Sequence, residues 1–191
     1  MLHDLIISRV RVKILELFFL NAEMMFHVRE IVRRTDEEIN AVRRELAHLE
    51  KGGLLSKEPR ANRLFYMLRK DYPLYLELLE LITKTSGLGG EIIKKRAKLG
   101  KVKFVMISGK YLRGKKHAPS VVDVLFVGSV VLPEISSIIK AEEAARGKEI
   151  NFTVMTEEEF AFRKERNDPF VKEILWGSRL MIIGDEDELV A

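Results

Sequence analysis

Three glycines in five residues, Ser86-Gly87-Leu88-Gly89-Gly90, divide the chain. That density leaves more backbone freedom than a packed helix tolerates, so the segment reads as a linker. Before it, apolar residues recur at helical spacing; beyond it, short apolar runs alternate with helical ones. The 191 residues are therefore expected to form two domains, 1–86 and 87–191, of mixed α+β and α/β class.

The first half reads as three helices, a hairpin and a fourth helix. Val10 to Leu20 is amphipathic, Val28 to Arg34 is short, and Ile39 to Lys51 carries Ile39, Val42, Leu46 and Leu49 on one face before Gly52-Gly53. Leu54 to Lys57 and Leu64 to Leu68 are expected strands around the polar tip 60–63. Asp71 is the expected cap of the last helix, with Pro73 in its first turn. The excess of leucines from Tyr72 to Ile82, and Met24-Met25-Phe26, suit a core or a dimer interface.

Three helices followed by a hairpin is the order of a winged helix-turn-helix, in which the outward face of one helix enters the major groove. The third helix offers Asn40, Arg43, Arg44 and His48 opposite its apolar face. Arginine reads guanine and asparagine reads adenine through paired hydrogen bonds, so this face carries suitable chemistry. Lys57, Arg60 and Arg63 on the hairpin suit phosphates or a minor groove, and Arg29, Arg33 and Arg34 could add backbone contacts. The run Val28-Arg29-Glu30-Ile31-Val32-Arg33-Arg34-Thr35, with Ala41 to Leu46 and Leu49-Glu50-Lys51-Gly52-Gly53-Leu54-Leu55, resembles ArsR/MarR-type winged-helix regulators over residues 8–84. In place of the small polar turn of those proteins stand Asp36-Glu37-Glu38, which favour the helix N-terminus and would repel phosphate if they faced a duplex.

The second half reads as a helix over Glu91 to Leu99, strands at Val102 to Ile107 and Val121 to Val127, and a helix from Pro133 to Arg146. A strand near Ile150 to Met155, helices at Glu157 to Arg166 and Pro169 to Trp176, and a strand at Leu180 to Ile183 complete it. Met106 to Gly114, followed by Ser120 to Gly128, resembles minimal nucleotidyltransferases, and the similarity extends through Gly147 to Asn151 and Asn167 to Phe170 to Gly184-Asp185. The resemblance implies a mixed sheet with flanking helices and a nucleotide site at Ser108, Gly109, Arg113 and Asp123. That chemistry needs carboxylates one residue apart on a strand to hold magnesium. Val121 stands at the first position and only Asp123 remains, so the domain reads as catalytically degenerate; an active enzyme would rely on Asp123, Glu149 and a bound magnesium ion. No other cofactor is expected.

Residues 109–115 match a P-loop pattern, but Lys116 replaces the magnesium-binding Ser or Thr and Pro119 opposes the required helix. Ser108, His117 and Asp123 lack a nucleophile elbow. The four histidines show no paired ligand spacing. The absence of cysteine excludes a disulfide scaffold, a Cys-ligated zinc and a Cys nucleophile. No apolar run reaches a membrane span, and the N-terminal sequence does not read as a signal peptide.

The net charge is only +4, yet ten bases and no acid lie between Ile92 and Val122. The expectation is a cytoplasmic, homodimeric transcriptional regulator that binds double-stranded DNA and keeps its second domain as a sensor or interaction surface for a nucleotide or a protein. The alternatives are an active nucleotidyltransferase and a protein-binding adaptor.

Overall fold

The computed structural model describes residues 2–114 and 121–191. The chain is a mixed α+β protein with two sheets, and it separates into two compact units, Met1–Thr85 and Ser86–Ala191.

In the first unit α1 (Leu2–Leu5) and α2 (Arg9–Phe19) precede a short strand, β1 (Met25–His27). Helices α3 (Val28–Thr35) and α4 (Ile39–Lys51) follow, then the hairpin β2 (Leu55–Arg60) and β3 (Arg63–Leu68), and finally α5 (Tyr75–Thr85). The expected α4 boundaries are those observed. Val42 and Leu46 are fully buried on its inner side, each contributing about 1.5–3 kcal/mol by leaving water. The sheet order is β1-β3-β2, antiparallel throughout, with Met25 opposite Met67 and Leu55 opposite Leu68. The third strand, β1, is only three residues long and carries no sequence signature of its own. It puts Phe26 in the core, edge-on to Phe18 at 5.5 Å, while Met24 stays exposed.

Helix α5 starts later than expected. Asp71 does not cap it, because its carboxylate is held by the Arg69 guanidinium, and Pro73 lies two residues ahead of the helix. Tyr75, Leu79 and Ile82 are buried, with Tyr75 stacked on Phe19, whereas Leu74 and Leu76 are exposed.

The second unit opens with a correction. The glycine-rich segment is not a linker but the first turn of α6 (Gly87–Lys94), with Leu88 and Gly89 buried. The helix packs against a later helix, 132–146, and a strand, 179–183, with Leu88 and Ile92 buried, and this tertiary contact outweighs the entropic penalty of its glycines. The expected helix to Leu99 breaks at Lys95 into a 3-10 turn, Arg96–Lys98. Then come β4 (Gly100–Ser108), α7 (Gly109–Leu112), β5 (Val124–Val130), α8 (Leu132–Arg146) and β6 (Phe152–Met155). Helices α9 (Glu157–Glu165) and α10 (Pro169–Trp176), strand β7 (Arg179–Ile183) and α11 (Glu186–Val190) close the unit. Strand β5 begins three residues later than expected, so Val121 and Asp123 precede it rather than sharing its face.

The sheet order is β6-β5-β4-β7; β5 and β6 are parallel across α8, and the other pairs are antiparallel. Side-chain alternation builds a core on each face. Val105, Ile107, Val124 and Phe126 join Ile92, Ile135 and Ile139 on one side. Phe104, Met106, Leu125 and Val127 join Phe160, Val171 and Leu189 on the other. No helix among the described residues is long and apolar enough to cross a membrane.

Candidate nucleic-acid interface

Helix α4 is presented by a set of charged ties. Glu38 is its N-cap: the carboxylate accepts from the Asn40 and Ala41 amides at 2.8 and 2.9 Å. Those two bonds, with the fields of Arg44 and Arg43, hold the Glu38 carboxyl below its usual range. Glu37 turns toward α2, 2.6 Å from Lys13 and 3.3 Å from Arg9, and the Lys13 bond lowers its pKa. Glu45 accepts from Ser8 Oγ at 2.7 Å and Arg11 Nε at 2.8 Å; burial pushes its pKa up, and these two partners more than offset that. Glu37 and Glu38 of the acidic turn are therefore engaged within the fold.

On the outward side Asn40, Arg43, Arg44 and His48 are all exposed. Among the described residues neither Arg43 nor Arg44 forms an ion pair. His48 Nδ1 lies 3.5 Å from Arg11, which draws it toward α2. A cleft beside α4 is lined by His27, Val28, Arg29, Arg43, Asn62, Arg63 and Leu64. It brings together the recognition-type helix, the start of α3 and the hairpin tip, with three arginines and no acid. Arg29 is one of the bases expected to contact the DNA backbone, whereas His27 and Asn62 are lining residues that no sequence motif marks. The signal for His27 was its place one residue before α3, where Nδ1 accepts from the Glu30 amide at 3.2 Å.

The three hairpin bases differ. Lys57 is 2.7 Å from Glu50, which raises its pKa, and Arg60 is 2.9 Å from Glu58 on its own strand. Only Arg63 of the three is without an acidic partner among the described residues; it faces His27 Nε2 at 3.3 Å. Exposed pairs of this kind are worth about 0–1 kcal/mol, so a polyanion can displace the carboxylates. On α3, Arg29 and Arg33 are exposed, and Arg34 is bound to Glu30 and lies over the Phe26 ring.

The second constellation lies in the other unit. Ser108 caps α7 through the Tyr111 amide at 3.2 Å, and its own N–H donates to the Asp123 carbonyl at 2.8 Å. Arg113 donates to Ser178 Oγ at 2.6 Å, and Gly109 N–H to the Ser178 carbonyl at 2.6 Å. A Cβ on Gly109 would collide with Ser178 Oγ. Ser178 belongs to no motif in the sequence and joins this site only through the fold. Asp123 is 1% exposed, and Oδ2 accepts from the Asn151 amide at 3.0 Å. Glu149 is exposed in the loop before β6. Among the described residues no three acidic or histidine side chains are grouped to hold a metal ion. With Val121 apolar and Asn151 neutral, the donor set does not fit a two-magnesium centre. Lys115, Lys116, His117 and Pro119 lie outside the described residues.

No family model matches the chain, and searches of curated proteins and of solved structures return no significant match.

Proposed function

We propose that the protein is a DNA-binding transcriptional regulator. Its first unit acts as a winged helix-turn-helix, with α4 as the recognition helix and the β2–β3 hairpin as the wing. The observation that carries this reading is the acid-free cleft shared by Arg43 of α4 and Arg63 of the hairpin, beside the exposed Arg44 and Asn40. A duplex seated there would have base edges within reach of α4 and phosphates against the hairpin. Glu37 is paired with Lys13 and Arg9 of α2, which offsets its charge, and the Glu38 carboxylate is turned onto the α4 amides.

The second unit is read as a nucleotidyltransferase-like fold that has lost catalysis and serves as a sensor or interaction domain. Val121 in place of a carboxylate supports this, as does Asp123, buried under the Asn151 amide. Exposed Leu74 and Leu76 on and before α5 support a homodimer.

The test is binding to mixed-sequence duplex DNA across a salt series. Affinity should fall steeply with salt, and Arg44→Ala and Arg63→Ala should each weaken it, Arg44→Ala by about 1–3 kcal/mol on a preferred sequence. Binding indifferent to salt and to both substitutions overturns the reading.

A further inference from the structure

The bases of the acid-free stretch in the second unit take no part in the DNA-binding face proposed above. The structure describes eight of its ten bases and sorts them. Lys94 and Lys95 share the single carboxylate of Glu91, Lys103 is 3.2 Å from Glu157, and Arg113 is engaged by Ser178. Lys110 lies apart on α7. Arg96, Lys98 and Lys101 are exposed, and among the described residues none has an acidic partner.

These three bases sit on one fixed segment, Arg96 and Lys98 on the 3-10 turn and Lys101 at the start of β4. Leu99, fully buried, anchors it, and its carbonyl accepts from the Val131 amide at 2.9 Å. The Leu99 amide in turn donates to the Arg96 carbonyl at 3.2 Å. Gly100 takes φ +91°, and a Cβ there would collide with the Ser129 carbonyl. The cations are thus carried on ordered backbone, within six residues of one another, and nothing on their own segment neutralises them.

We propose that the Arg96–Lys101 segment is a phosphate-backbone contact for double-stranded DNA, additional to the face of the first unit; this rests on the regulator reading above. Three cations with no acidic partner and no acid among them match a ligand that presents phosphates at short, regular intervals, as duplex DNA does. The exposed apolar residues nearby are Val131 and Leu132. Two aliphatic side chains without a Trp or Tyr are a poor seat for a bilayer.

The experiment compares the full chain with the triple variant Arg96→Gln, Lys98→Gln, Lys101→Gln. Duplex affinity is measured from about 0.05 to about 0.4 M salt. Each phosphate contact contributes about 0.9 to the log–log salt slope, so the variant's slope should be shallower by up to about 2.7. That corresponds to a loss of up to about 500-fold at about 0.1 M salt, with the two lines converging toward about 1 M. A second variant, Arg96→Lys, Lys98→Arg, Lys101→Arg, should restore the slope. Parallel lines for wild type and the Gln variant overturn the inference. If Arg44→Ala still weakens binding in that case, the regulator reading survives alone. If the wild type shows no salt-dependent duplex binding, both fall. Loss of binding to anionic phosphatidylserine vesicles in the Gln variant, with its DNA slope unchanged, would overturn the inference in favour of a membrane contact.

Discussion

Arg63 on β3 places a guanidinium nitrogen 3.3 Å from His27 Nε2, and His27 caps α3 through its other ring nitrogen. One imidazole thus links the hairpin tip to the start of the helix preceding α4. His27→Ala should remove the cap and cost about 1 kcal/mol in denaturant unfolding. An unchanged midpoint would show that the ring contributes nothing to α3.

The hairpin tip carries a second local feature. Ala61 adopts φ +49°, a left-handed conformation that costs an L-residue about 1–2 kcal/mol and glycine almost nothing. Ala61→Gly should therefore stabilise the first unit by about 0.5–1 kcal/mol, after subtracting glycine's greater unfolded-state entropy. Ala61→Val should destabilise it. Calorimetry on both variants checks the sign.

Gly128 on β5 makes the opposite case. Its φ is +140°, and an added Cβ would strike the Lys101 carbonyl, beside the bulge where the β4–β5 register shifts between Val102 and Phe104. Backbone on a neighbouring strand cannot move aside as a side chain can. Gly128→Ala should cost about 2–4 kcal/mol, from the backbone conformation and overpacking together. Wild-type stability in this variant would mean that the strands do not approach so closely.

Acid should loosen the base of α4. Lys13 holds the Glu37 carboxyl below its ordinary value, and the Asn40 and Ala41 amides do so for Glu38. A lowered folded-state pKa stabilises the fold fully above the unfolded glutamate value of about 4.3. That stabilisation is lost as the pH falls through the lower folded values. Urea midpoints should decline in this acid range, and Glu38→Gln should decline less steeply. Identical acid profiles would remove Glu38 from the account.

These features also mark the limits of the sequence. Helix α4 was legible because Ile39, Val42, Leu46 and Leu49 give a strong helical period closed by Gly52-Gly53. The exposed bases of its outer face followed from that period, and the hairpin followed from two apolar runs around a polar tip. The first turn of α6 was not legible, because Gly89 is helical through packing that no local rule encodes. Strand β1 is three residues long and gains its identity from pairing with β3. The partners of Lys57 and Arg60 were equally hidden, since Glu50 and Glu58 signal an acid nearby but not a bond. Ser178 reaches Arg113 across 65 positions of sequence, a contact created by the placement of β7 beside β4.

The central claim is that α4 and the β2–β3 hairpin face a duplex. Amide chemical-shift mapping of the labelled full chain on titration with duplex DNA tests it most directly. The account expects the largest changes at Asn40, Arg43 and Arg44 and at Asn62 and Arg63, with the buried β4–β5 core unmoved. Changes confined to the second unit, or none at saturating DNA, would contradict it.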